Sequence, residues 1–159
     1  LQVSRERVRY EDGEEVLRSS EGAWVAQEAQ EQTVGLGTKI ELKTLQTEAG
    51  NLEYYRAVTV WVTSYSPCRS GGDRCYPGTS SGMKVQKGVI AVPRAWYGLL
   101  VGARVYIPGY GTALVADTGG MTGYWVDLAY GDDDYVPWAQ YVTMYFLTPV
   151  PSYVPVRLP

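Results

Sequence analysis

Residues 105–131 read VYIPGYGTALVADTGGMTGYWVDLAYG, and their reading decides the fold class. Three short runs rich in β-branched and aromatic residues lie here: Arg104–Ile107, Thr112–Asp117 and Gly123–Leu128. Gly and Pro separate them, which is the signature of strands joined by tight turns. The same pattern continues outward. Val89–Val92 and Gln140–Leu147 are further short strands, and Ala57–Tyr65 is a longer one with Val58, Val60 and Val62 on one face. Many short strands at this spacing predict a closed barrel or a sandwich.

The N-terminal third differs. It is charged, and its polarity alternates. Arg5–Tyr10 predicts a strand, Glu11-Asp12-Gly13-Glu14 a turn, and Glu15–Ser19 the returning strand of a hairpin. Trp24–Thr33 admits either helix or strand. Gly35-Leu36-Gly37 is a turn, and Lys39–Thr47 a further alternating strand. Ala49-Gly50-Asn51 marks a break between modules. The expected organisation is a small β module over 1–47, a linker over 48–56, a β domain over 57–148 and a Pro-rich tail over 149–159. The tail is expected to be a strap or a disordered end.

Composition narrows the chemistry. The 159 residues carry a net charge of −3, which does not point to nucleic acid. No apolar run is long enough to span a bilayer. Leu1 rather than Met opens the chain, so it is read as the C-terminal part of a longer protein, with any signal or anchor upstream. There are 18 Gly, 14 Tyr and no His. Without His there is no Ser-His-Asp or Cys-His mechanism and no ordinary zinc site, since two Cys alone cannot close one. Acid–base chemistry falls to carboxylates, Tyr, Lys or Cys.

Cys68 and Cys75 bracket the loop CRSGGDRC. The Gly-rich spacer allows a disulfide, and two free thiols are the alternative. A loop this polar would expose both thiols, which favours the disulfide and a location outside the cytoplasm.

Two carboxylates stand out. Asp117 ends a strand in Ala116-Asp117-Thr118-Gly119-Gly120, where Gly119 and Gly120 permit a tight turn and a close approach of backbone to a ligand. Asp127 lies within Tyr124-Trp125-Val126-Asp127-Leu128. Alternation puts Trp125, Asp127 and Ala129 on one face. A carboxyl beside an indole is desolvated, its pKa rises, and it can donate a proton near neutral pH. The plainer readings are a turn aspartate and a surface aspartate. Asp132-Asp133-Asp134 reads as a solvated loop, without the oxygen-ligand spacing of a calcium site. The abundant Tyr and Trp suit the apolar faces of sugar rings, or fill a small core with a polar tip outward.

From Val58 to Leu147 the chain resembles the 3D, or three-aspartate, domain, a relative of the membrane-bound lytic transglycosylase A barrel. The matching pieces are VTSYSP (62–67), GTSSGM (78–83), GVIAV (88–92), VYIPGYGTALVADTGG (105–120) and GYWVDLAYG (123–131). The resemblance implies a six-stranded double-psi β-barrel that cleaves peptidoglycan, with no cofactor or metal. Asp127 takes the place of the single acid–base, and Asp117 of the aspartate that supports it. Thr63, Tyr65, Thr79 and Ser81 match groove-lining positions, and Trp125, Gly119 and Gly120 join them as expected substrate contacts. Pro93 stands where the family has a further aspartate. Residues 1–47 resemble part of the G-five module, through VRYEDGEEVLR (8–18) and VGLGTKI (34–40). The implied protein is an extracytoplasmic monomer that takes peptidoglycan glycan strands as its partner. An expansin-like module that binds polysaccharide without cutting it is the alternative.

Overall fold

The computed structural model describes residues 1–28 and 39–159, and the chain divides into two compact units, Leu1–Leu36 and Gly37–Pro159. Two earlier expectations fall largely outside the described residues: the turn at 35–37, and the part of Trp24–Thr33 beyond residue 28. Most of the motif 34–40 does so too.

The first unit is a hairpin of β1 (Gln2–Glu11) and β2 (Glu14–Val25), longer at both ends than its sequence suggests. Asp12 and Gly13 form the connection, at φ 51° and 86°. Both values are positive, the geometry that a two-residue hairpin turn demands and that Asp-Gly supplies at low cost. Its side chains are almost all exposed. Pairs such as Arg7–Glu21, at 2.6 Å, are surface ion pairs of little energetic weight.

The second unit is all-β apart from one short helix. Its strands are β3 (Lys43–Thr47), β4 (Gly50–Tyr65), β5 (Val89–Pro93), β6 (Arg104–Ile107), β7 (Gly111–Gly119), β8 (Trp125–Ala129) and β9 (Ala139–Leu147). Six of them close on themselves in the order β4-β8-β5-β7-β6-β9, and β9 pairs back onto β4. The pairings β4–β8 and β5–β7 are parallel, and the other four around the ring are antiparallel. A closed ring leaves none of its six strands as a free edge within the paired region. Alternation fills the interior. Val60 and Val62 from β4, Ile90 and Val92 from β5, Val126 and Leu128 from β8, and Met144 and Phe146 from β9 are fully or almost fully buried.

Three details differ from the sequence reading. Residues 48–56 are not a separating linker: Glu48 and Ala49 turn the chain, and Gly50–Arg56 begin β4. The strand read over Lys39–Thr47 is confined to Lys43–Thr47, where the ladder with β4 ends at Lys43↔Tyr54, and it belongs with the second unit. A helix, α1 (Arg94–Leu100), follows β5 directly; its buried residues, Trp96 and Leu100, lie four apart on one face. The tail from Pro149 is a strap. Arg56 Nη2 donates to Pro155 O at 2.5 Å and to Val156 O at 2.8 Å. Trp96 Nε1 donates to Pro159 O at 2.6 Å, and Leu158 is buried in the core. Among the described residues no helix is long and apolar enough to cross a membrane.

Candidate functional site

The register of four neighbouring strands builds one row of side chains. Thr63 on β4 pairs with Asp127 on β8, Asp127 pairs with Ala91 on β5, and Ala91 pairs with Asp117 on β7. The last pairing depends on a bulge. Ile90 opposes Val115 but Ala91 opposes Asp117, so Ala116 is an extra residue in β7. In strict alternation Asp117 would follow Ala113 and Val115 toward the core. The bulge re-aims it onto the face that carries Asp127. Ala91, with one methyl, leaves open floor between the two carboxylates, whose Cα atoms stand roughly 10 Å apart across two interstrand spacings. A cavity of about 320 Å³ lies over this row, lined among others by Thr63, Tyr65, Arg69, Asp117, Trp125 and Asp127.

The two carboxylates are held very differently. Asp117 receives four hydrogen bonds. Its Oδ1 accepts from Ser80 N and Thr118 N, both at 2.8 Å, and from Ser80 Oγ at 2.7 Å; its Oδ2 accepts from Tyr65 Oη at 2.8 Å. Asp117 is thereby committed to fixing the loop after Gly78 against the ring. Burial first, and then the neighbouring Asp117 charge, push the Tyr65 hydroxyl's pKa far up, so it stays a donor. Asp127 has one partner among the described residues: Thr63 Oγ1 donates to its Oδ1. Oδ2 receives no such bond, and it is not sealed from solvent.

The donor sense of Thr63 is set by Trp125. The indole Nε1, which can only donate, gives its hydrogen to Thr63 Oγ1 at 2.7 Å. The threonine's own proton is then turned toward Asp127. Desolvation raises the Asp127 pKa, the Thr63 hydrogen bond opposes this, and the charge of Asp117 raises it further. With Oδ1 engaged by Thr63, Oδ2 is the oxygen left to exchange a proton with a ligand in the cavity that Asp127 lines. Trp125→Phe keeps an aromatic ring and removes the N–H, freeing Thr63 to turn away. The Asp127 pKa is then expected to rise further. Carboxyl carbon NMR titration checks this, and an unchanged titration would contradict the relay.

Several expected positions fall elsewhere. Thr79 is buried within its loop, 3.1 Å from Ser81 Oγ, and accepts from Met83 N at 3.0 Å. Ser81 donates its amide to Ala116 O at 3.1 Å and so braces the bulge. Neither lines the cavity. Gly119 does, and a Cβ there would lie 2.6 Å from Met121 Sδ, so glycine lets Met121 close that wall. Gly120 and Pro93 line an adjoining groove. An aspartate in place of Pro93 would therefore face that groove, and its absence takes no carboxylate from the row. Ser80, Ala91, Arg69 and Ser70 were not expected at the site. Ser80 sits between two of the predicted residues and was the discernible signal; nothing in the sequence singles out Ala91.

Arg69 and Ser70 arrive on the loop closed by the Cys68–Cys75 disulfide. Asp132 anchors this loop: its Oδ1 accepts from Ser66 Oγ at 2.6 Å and from Cys68 N at 3.0 Å. These two bonds hold its carboxyl below the usual range. Arg69 also lies over the Tyr135 ring, 4.5 Å from its centroid. Replacing both cysteines by serine is expected to cost about 2 kcal/mol by loop-closure entropy. Urea denaturation checks this, and reductant on the wild type should reproduce the loss. Among the described residues no group of three or more His, Cys, Asp or Glu is placed to hold a metal ion.

No family model, curated protein or solved structure matches this chain.

Proposed function

We propose that the second unit is a double-psi β-barrel of the three-aspartate type, and that it is a lytic transglycosylase acting on the bond between N-acetylmuramic acid and N-acetylglucosamine. One observation carries the reading: the cavity holds a single uncommitted carboxyl. Asp127 is desolvated, its pKa is raised, and only its Oδ1 is engaged, by Thr63, whereas Asp117 is occupied by four donors. Most glycosidases need two working carboxylates, one to protonate and one to act as nucleophile or base. An internal nucleophile removes the need for the second.

In the proposed reaction Oδ2 of protonated Asp127 gives its proton to the glycosidic oxygen as the bond to the muramic anomeric carbon breaks. The muramic C6 hydroxyl attacks that carbon. Asp127, now a carboxylate, takes the hydroxyl proton, so the anhydro-sugar forms and the acid is restored without water. The Asp117 charge favours the protonated form between turnovers, and Trp125 and Thr63 keep Oδ1 engaged. The disulfide supports an extracytoplasmic setting. The N-terminal hairpin fits part of a G-five-like amino-sugar-binding module.

The second reading, a polysaccharide-binding module without chemistry, is favoured by the aromatic groove beside the cavity, lined by Trp61, Tyr124, Trp125 and Tyr141. Sacculus solubilisation separates the two. The wild type should clear a sacculus suspension as soluble fragments appear. Retention on sacculi with no clearing would select the binding module.

A further inference from the structure

The outer face of the ring carries a second row. Trp125 on β8 pairs with Trp61 on β4, and Trp61 pairs with Tyr141 on β9, so three aromatic residues stand side by side on neighbouring strands. They lie on the face of Asp127 and Thr63, two residues earlier along β8 and β4. Trp61 and Tyr141 meet edge to face with centroids 5.0 Å apart, and Tyr141 is 72% exposed. With Tyr124 and Thr122 the three line a groove of about 450 Å³. Trp125 also walls the cavity over Asp127, so groove and cavity adjoin at this indole.

We infer that this groove is a glycan subsite, which stacks consecutive sugar rings of the strand whose scissile bond lies at Asp127. The inference rests on the peptidoglycan-directed reading above and extends it from the reacting bond to the strand. The lining selects this occupant. Four of its five residues are aromatic, one is Thr, and none is aliphatic or charged. Flat rings with polar edges match the C–H faces of pyranoses, which carry hydroxyls at their rims. A groove for an amphipathic helix presents aliphatic anchors, and one for nucleic acid presents cations. Strand addition is closed off, because β4, β8 and β9 each already have two neighbours in the ring. Interstrand spacing makes the row about 10 Å long, room for about two linked sugars.

The test uses the Asp127→Asn protein, which leaves bound strands uncut, and calorimetric titration with peptide-free glycan strands from purified sacculi. Trp61→Ala and Tyr141→Ala, each added to it, should weaken binding about tenfold, on the scale of one lost aromatic contact. The exposed Tyr141 position guards against misfolding as the cause. Affinities within twofold of the parent would overturn the subsite, as would failure of the parent to bind the strands. Binding that requires the stem peptides would also overturn it, placing a peptide in the groove. Unchanged affinities beside a wild type that cleaves would sink the subsite alone. Tenfold losses beside a wild type that releases no product would leave the subsite standing and sink the transglycosylase.

Discussion

Asp127→Asn is expected to lower the rate of glycan-strand cleavage by about a hundred- to ten-thousand-fold, the usual cost of removing a general acid–base. The amide still fits the Thr63 hydroxyl, so the row from Thr63 to Asp117 should persist and substrate binding should survive. Stability supplies an independent sign. Burial and the Asp117 charge lift the folded pKa of Asp127 above its ordinary value of 3.8. The native state then holds this proton more tightly than the unfolded chain does. Asp127 therefore lowers stability as pH rises from the ordinary carboxylate range through its own folded pKa. The substitution removes that penalty. Its melting temperature should exceed the wild type's at pH 7 and match it at pH 3, where both side chains are neutral. A melting temperature lowered at both pH values would mean that Asp127 is a structural residue and that any lost cleavage reflects a damaged fold.

Trp96→Ala should have the largest effect on stability. Trp96 is 0% exposed, projects from α1 into the core, and meets Tyr124 edge to face at 5.1 Å. Its Nε1 also holds the C-terminal strap through Pro159 O. Truncating a buried Trp costs about 3–5 kcal/mol, against a total of roughly 5–15 kcal/mol for a domain. The urea midpoint should fall by about 2 M. Trp96→Phe keeps a six-membered ring but loses the N–H bond and part of the buried volume, so a smaller loss of about 2 kcal/mol is expected. Equal midpoints for Trp96→Ala and the wild type would show that α1 and the strap are not part of the cooperative unit.

Much of the strand pattern was legible because inside and outside alternate cleanly. Val58, Val60 and Val62 marked the inner face of β4, and the placement of Asp127 beside Trp125 followed from period two alone. Asp117 was legible as a residue type but not in its orientation. Its alternation points inward, and only the extra residue Ala116 turns it outward, a local irregularity with no sequence mark of its own. The direction of the Thr63 hydroxyl depends on the indole of a strand 62 positions away. Ring closure joins β4 to β9, whose pairing is not local and so leaves no short-range signal. Arg69 reaches the cavity, and Ser80 reaches Asp117, on loops whose paths are set by Asp132, the disulfide and Asp117 itself. The short helix α1 was hidden by its length: seven residues with one buried pair, Trp96 and Leu100, give little periodicity.

The central claim is that one carboxylic acid cuts the strand by an internal attack, without water. Mass spectrometry of soluble products from purified sacculi digested in H₂¹⁸O tests it most directly. The account predicts anhydro-muropeptides that carry no ¹⁸O, released by the wild type and not by Asp127→Asn. Products with a free reducing end carrying ¹⁸O would contradict it, showing water as the nucleophile and a second working base in the cavity.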